Sequence, residues 1–323
     1  MNTDTKATAA AGSEPAHDDI HLLACGAAPA LPPGPEAVGG KAHNLMRMAA
    51  LGLPVPPAFV LGTAWCGRHQ QLDSARWQGA LQAVERESGL VFGNPRRPLL
   101  LSVRSGAPVS MPGMMETLLD IGLCDATLPG LVRLTGDPRL AWDSYRRLVA
   151  GYGETVTGIA ATTFEADLHA VAGTADERDL GFAELRELTQ RHLATFRSAC
   201  GQPFPQDPRA QLQAAIGAVF DSWQAPKAAE YRHLKGIDGA MGTAVTVQRM
   251  VFGNAGGISG AGVGFTRDPA AGTPQPWVDF LFNAQGEDVV AGRRRASGHA
   301  LLSASAPAVW QQIESAMARL EAA

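Results

Sequence analysis

Leu99–Leu123, LLLSVRSGAPVSMPGMMETLLDIGL, is the stretch that most restricts how this chain can fold. Leu99–Val103 is a continuous apolar run, the pattern of a strand buried on both faces, and it opens directly into Arg104-Ser105-Gly106 and a loop carrying Pro108, Pro112 and Gly113. A cation is therefore expected at the end of a buried strand. Gly106 and Gly113 would let backbone N–H groups come close to an anion, and a guanidinium at the root of the loop offers paired donors to phosphate oxygens. The same residues also fit a structural ion pair beside a hydrophobic loop packed on the core, and taken alone they leave both readings open.

Composition narrows the class of protein. The chain has 323 residues, 46% hydrophobic, with a net charge of −4, enough for two or three lobes with ample core. Beyond Arg293-Arg294-Arg295 there is no basic run or aromatic-basic interleaving, so no nucleic-acid partner is indicated. No apolar run approaches the roughly 20 residues of a bilayer span, and the N-terminus is polar and acidic, so no membrane association is expected. The four cysteines are far apart and form no CxxC, which fits a reducing cytoplasm better than a disulfide framework or a zinc site.

Residues 1–19 hold almost no large apolar side chain and read as a disordered tail. A strand at Ile20–Cys25 is followed by a proline-rich connector and then Gly39-Gly40-Lys41, after which Leu45, Met46, Ala49 and Leu51 keep helical spacing up to the stop at Gly52 and Pro54. Lys41 is thus predicted at a helix N-terminus, where free N–H groups and the helix dipole favour an anion. The spacing is not a Walker A loop, since Ala42 stands where a magnesium-binding hydroxyl would be, and a solvated lysine after a turn is the competing reading. A strand at Val55–Leu61 and a helical stretch over Thr63–Ser88 follow. Helices are predicted at Pro138–Tyr152, Thr163–Ala172, Phe182–Cys200 and Asp207–Trp223. Asp143 and Arg147 fall at i,i+4 on the first of these, the spacing of an ion pair. Gly242–Phe252 alternates as a strand, with Val245, Val247 and Arg249 on one face and Thr246, Gln248 and Met250 on the other. A glycine-rich turn and a second strand ending in Phe265-Thr266-Arg267 complete a predicted hairpin. Trp277–Phe282 is a third strand, and Ala306–Leu320 a terminal amphipathic helix.

With these pieces in order, the sequence resembles the N-terminal nucleotide-binding region of pyruvate, phosphate dikinase, from about residue 20 to 321. The segments that carry the resemblance are GGKAHNLMRMAALGLPVPPAF, LLSVRSGAPVSMPGMMETLLDIGL, AWDSYRRL, FPQDPRAQLQAAIGAVFDSW, GTAVTVQRMVFGN, SGAGVGFTRDP and NAQGEDVVAG. The resemblance implies an α+β, ATP-grasp-type nucleotide-binding fold with a helical insertion, binding ATP and Mg2+. Its first lobe spans residues 20–123 and is completed by 203–241; the helical insertion is 124–202; the second lobe, with an antiparallel sheet and terminal helix, is 242–323. By resemblance Lys41 and Arg104 are the polyphosphate-binding, catalytic cations. Arg147 matches the second arginine of the SYRR segment implicated in nucleotide binding, and Gln248, Met250 and Val251 belong to the strand beside the adenine. Asp279 stands where the family usually has a glutamate and is a cofactor and metal ligand by position, with Glu287 a weaker metal candidate. Ala261 replaces the family's usual threonine. In the family a metal-carboxylate strand, a phosphohistidine domain and a pyruvate-binding barrel follow this region. The chain is therefore expected to be an incomplete phosphotransferase that passes phosphoryl groups from ATP to a histidine on a separate domain or separately encoded chain. The alternative is a non-catalytic nucleotide-binding or assembly subunit, or a truncated relic. No histidine of this chain has a carrier-like context, and His43 reads as structural.

Overall fold

Short sequence signals fix most of the helix ends. Asp73, Asp137 and Asp207 each cap a helix by accepting a backbone N–H, and in the last two a proline occupies the next position, where no N–H is needed. The computed structural model describes residues 19–26, 32–174, 176–286, 289 and 297–323. Residues 1–18 of the predicted tail, 29–31 of the proline-rich connector and Arg293-Arg294-Arg295 lie outside them.

The chain folds as a mixed helix and sheet protein. Its strands are β1 (Ile20–Leu23), β2 (Ala58–Leu61), β3 (Val91–Phe92), β4 (Pro98–Leu99), β5 (Leu101–Gly106), β6 (Thr117–Ile121), β7 (Ala244–Arg249), β8 (Gly260–Phe265), β9 (Trp277–Phe282) and β10 (Ser297–Gly298). The helices are α1 (Pro35–Ala50), α2 (Ser74–Ser88), α3 (Leu128–Thr135), α4 (Pro138–Thr157), α5 (Ala161–Ala172), α6 (Phe182–Cys200), α7 (Pro208–Asp221), α8 (Pro226–Lys235), α9 (His299–Ser305) and α10 (Pro307–Ala322). Five strands form an antiparallel sheet in the order β1-β2-β7-β5-β6, and β10-β9-β8 form a second antiparallel sheet. The short β3 and β4 pair in parallel.

The two faces of the large sheet are covered differently. On one, Phe59, Leu61, Val103, Val245 and Val247 pack against Trp77 and Leu81 of α2, Tyr145, Leu148 and Val149 of α4, and Leu212, Ile216 and Val219 of α7. On the other, Val38, Ala42 and Met46 of α1 cover Leu23, Ala58, Val60 and Ala244. In the small sheet, Val278 and Phe280 face Leu302 of α9, Ala306 and Met317 of α10. Strand alternation turns Asp279 and Leu281 to the opposite face.

Three sequence expectations are corrected here. The glycine-rich stretch after Gly242–Phe252 is not a hairpin turn: β7 lies between β2 and β5, pairing Val247 with Phe59 and with Val103, while β8 belongs to the other sheet. The grouping of residues 242–323 as one lobe therefore places β7 wrongly, because both its faces are already used by the first lobe. Residues 124–202 have a small cluster of their own, Leu180, Leu185 and Leu188 packed against Trp142, Leu168, Val171 and Ala172, while Leu128 and Leu131 of α3, the inner face of α4 and Phe196 of α6 join the buried cluster of Val103 and Val247. Thr63–Ser88 is not a single helix. Two short 3-10 turns, Thr63–Trp65 and His69–Gln71, flank Gly67 at φ 79°, and the α-helix starts afresh at the Asp73 cap.

A shared core makes a shared unfolding transition. Leu148→Ala, at a fully buried position of α4, is expected to cost about 2–5 kcal/mol. Far-ultraviolet circular dichroism and Trp77 fluorescence should report one coincident denaturation midpoint for this lobe; a separate early loss of helical signal would show an independent helical unit.

Candidate functional site

Lys41 and Arg104 come from segments 63 positions apart and are brought together by glycine packing. The helix α1 begins at Pro35, earlier than its apolar spacing suggests, but it breaks at Gly39 (φ 77°, ψ 153°) and resumes before Lys41. A Cβ on Gly39 would lie 1.8 Å from the Gly106 carbonyl oxygen, so only glycine lets α1 lie against the end of β5. The Gly40 N–H donates to the Ala107 carbonyl (3.0 Å) and the Gly106 N–H to the Thr243 hydroxyl (3.1 Å). The Gly106 N–H, one of the two expected to come close to an anion, is thus engaged within the protein, and Gly39 acts by permitting close approach.

Arg104 lies within β5, not after it, because Ser105 and Gly106 continue the ladder with Val245 and Ala244. Its Nη2 donates to Gln248 Oε1, and its Nε is buried without a hydrogen-bond partner. Lys41 Nζ donates to the Ser105 carbonyl at 3.1 Å. Burial pulls the Arg104 guanidinium below its ordinary value, and burial followed by the nearby Arg104 charge does the same to Lys41. Lys41 keeps a solvent-exposed surface, so its shift describes a tendency to lose charge and carries little weight in stability. Among the described residues neither cation is held in an ion pair. An anion arriving here meets two like charges that repel each other until it neutralises them.

Beside them opens a cleft of about 850 Å3 between the two sheets, lined by Ser102, Arg104, Gln248, Arg249, Met250 and Val251 on one side and by Gly262 and Val263 on the other. The structure thus brings four of the sequence-predicted positions, Arg104, Gln248, Met250 and Val251, into one cavity. Asp279 is directly opposite Val263 in the β8–β9 ladder and so shares the face that borders the cleft. Glu287 lies outside the described residues. His43 donates through Nδ1–H to the Pro33 carbonyl at 2.7 Å, a structural engagement.

Arg147 lines a smaller adjoining pocket of about 230 Å3 that shares Thr117, Leu119 and Gln285 with the cleft. It bonds Asp143 at 3.0 Å and Glu177 at 2.8 Å, and Arg146 bonds the other Asp143 oxygen. The i,i+4 pair read from the sequence is therefore formed, as part of a four-residue network. Arg249 was read onto the apolar face of its strand. It does pair with buried Leu101, as that parity requires, and at the end of β7 it also lines the cleft, with its Nε buried and unpartnered. An arginine closing the series Val245, Val247, Arg249 was the available signal. Thr246, wholly buried with an unpartnered hydroxyl, gave none.

An open cleft between two antiparallel sheets, with arginines on one wall and a carboxylate on the other sheet, belongs to a mixed α+β protein. The chain belongs to the family of the pyruvate phosphate dikinase AMP/ATP-binding domain, whose family model matches residues 74–320. Arg104, Arg147, Gln248 and Asp279 lie inside that span and Lys41 precedes it. The chain is 47% identical over 269 residues to pyruvate, phosphate dikinase of Rhizobium meliloti (strain 1021), with 80% of this chain and 30% of that protein covered. Pyruvate, phosphate dikinase 2 of Zea mays is 47% identical over 275 residues, with the same coverage. The chloroplastic pyruvate, phosphate dikinase 1 of Arabidopsis thaliana is 46% identical over 267 residues, 28% of its length. The chain thus spans less than a third of these relatives, matching their N-terminal region. Among the described residues no helix is long and apolar enough to cross a membrane.

The Asp143 network has a definite pH signature. Burial alone would raise the Asp143 carboxyl, but the charges of Arg146 and Arg147 outweigh it and hold it below its ordinary value of 3.8. A depressed folded value means that this stabilisation is fully present above pH 3.8 and is lost as pH falls through the lowered value. Asp143→Asn should cost about 3–5 kcal/mol by leaving the buried Arg146 uncompensated. It should also flatten the acid limb of a stability-against-pH curve; an unchanged limb would show that the network contributes nothing.

Proposed function

We propose that the cleft binds ATP with Mg2+ in the manner of an ATP-grasp protein, and that the chain is the ATP-binding phosphotransferase part of a pyruvate, phosphate dikinase-like enzyme. The observation that carries this reading is that Arg104, which lines a cavity large enough for a nucleotide, has Lys41 bonded to the next residue's carbonyl and, among the described residues, no counter-carboxylate for either cation. Lys41 and Arg104 take the polyphosphate oxygens, and the main chain at Met250 and Val251 borders the base. Arg147 joins the polyphosphate from the adjoining pocket by exchanging part of its contact with Asp143 and Glu177. Asp279 supplies a carboxylate from the facing sheet, which suits Mg2+, an ion commonly held by one or two carboxylates and substrate phosphates. Bound Mg2+ neutralises phosphate charge that two side-chain cations cover only in part.

In phosphoryl transfer the protein mainly positions groups and stabilises charge, and these residues are suited to both. The acceptor is a histidine on a separate domain or separately encoded chain that carries the pyruvate-handling chemistry; its imidazole nitrogen bonds to phosphorus as the bond to the nucleotide's leaving oxygen breaks. The four free cysteines suit a reducing compartment such as the cytoplasm.

Calorimetric titration with Mg-ATP should show Arg104→Ala binding roughly tenfold to a hundredfold more weakly, the loss of one charge-assisted contact of about 1.5–3 kcal/mol. Unchanged affinity would remove Arg104 from the site. Transfer is tested with ATP labelled in the β-phosphate, Mg2+ and inorganic phosphate. Acid-labile label is expected only when a phosphohistidine-domain protein is added; label on this chain alone would identify an internal acceptor, and binding without any transfer would favour a non-catalytic nucleotide-binding subunit.

A further inference from the structure

Gln248 stands on the same sheet face as Arg104, one diagonal step away: Ser102 pairs with Gln248 and Arg104 with Thr246 across β5 and β7. Both ends of its amide are committed. Oε1 accepts from Arg104 Nη2, and Nε2 donates to the Pro56 carbonyl at 2.8 Å. The reverse orientation would set an NH2 against a guanidinium and a carbonyl against a carbonyl, so its neighbours fix which end is which. The side chain is 5% exposed, leaving little of it for a ligand to touch. Arg104 in turn receives a neutral acceptor on one side while its Nε stays without a partner.

We propose that Gln248 is a positioning residue: it holds the Arg104 guanidinium toward the cleft through a neutral acceptor, so that orientation is fixed and the positive charge is left whole for a polyphosphate. This assigns to Gln248 a role through Arg104 in place of direct contact with the base, and it rests on the reading of the cleft as a polyphosphate site. A carboxylate at the same position would be the stronger partner for a guanidinium and would also cancel its charge. The amide achieves the first without the second. Its other bond, to Pro56 on the segment entering β2, anchors the pair to the neighbouring strand.

The test uses the full chain, titrated calorimetrically with inorganic tripolyphosphate and, separately, with adenosine. Gln248→Glu should weaken tripolyphosphate binding tenfold or more, matching Arg104→Ala. Gln248→Met, which keeps length and neutrality but neither hydrogen bond, should weaken it severalfold. Adenosine affinity should stay unchanged in both variants, which also reports that the cleft is folded. In an Arg104→Ala background, Gln248→Met should add no further loss. A fall in adenosine affinity, or additive losses in the double variant, would overturn the proposal in favour of direct ligand contact. Wild-type binding of tripolyphosphate that neither Gln248 variant alters would overturn it while leaving the polyphosphate reading intact. Failure of the wild type to bind tripolyphosphate would remove that reading and this proposal with it.

Discussion

The structure depends on two like charges being held together with, among the described residues, no acid paired to either. Lys41 and Arg104 repel, and each loses hydration at the sheet edge, so their proximity costs free energy in the empty protein. The surrounding packing holds them there: α1 buries Val38, Ala42 and Met46, and Gly39 admits the Gly106 backbone at contact distance. The contrast with Arg146 and Arg147 is instructive. Those arginines share Asp143 and Glu177 and are nearly satisfied within the chain. One set of cations is paired in the free protein and another is left open, and the second marks the centre of the site.

Much of this was legible in the sequence, for local reasons. The run Leu99–Val103 announced a buried strand carrying Arg104, though not that the strand continues to Gly106, and the Asp-Pro pairs at 137–138 and 207–208 announced two helix starts. Trp277–Phe282 and Phe182–Cys200 have the bounds their patterns predict. Family motifs added the site residues, four of which meet in one cleft.

What was not legible was partnership between distant segments. Alternation along Ala244–Arg249 tells which residues share a face, but it is silent on which strands lie alongside. A glycine-rich stretch serves equally as a hairpin turn or as a passage between two sheets, so β7 was assigned to the wrong lobe. The polar faces of the helices over residues 124–202 suggested independence, yet only part of their apolar surface packs within the segment and much of it lies in the common core. Gly39 looked like an anion loop because its true requirement, the Gly106 carbonyl, is 67 positions away. Arg249 was hidden because alternation gives its face but not that the end of β7 borders the cleft.

The place of β7 in the middle of the large sheet also governs the order in which the molecule can be assembled. Residues 58–61 and 101–106 each need a neighbour that is supplied only by residues 244–249. Until that late segment is available, during synthesis or refolding, β2 and β5 each present an open edge with free hydrogen-bonding groups. Such long-range pairing slows folding, because a large loop must close before any ladder bond forms. Nascent chains ending before residue 244 would therefore be the species most in need of protection from edge-to-edge association.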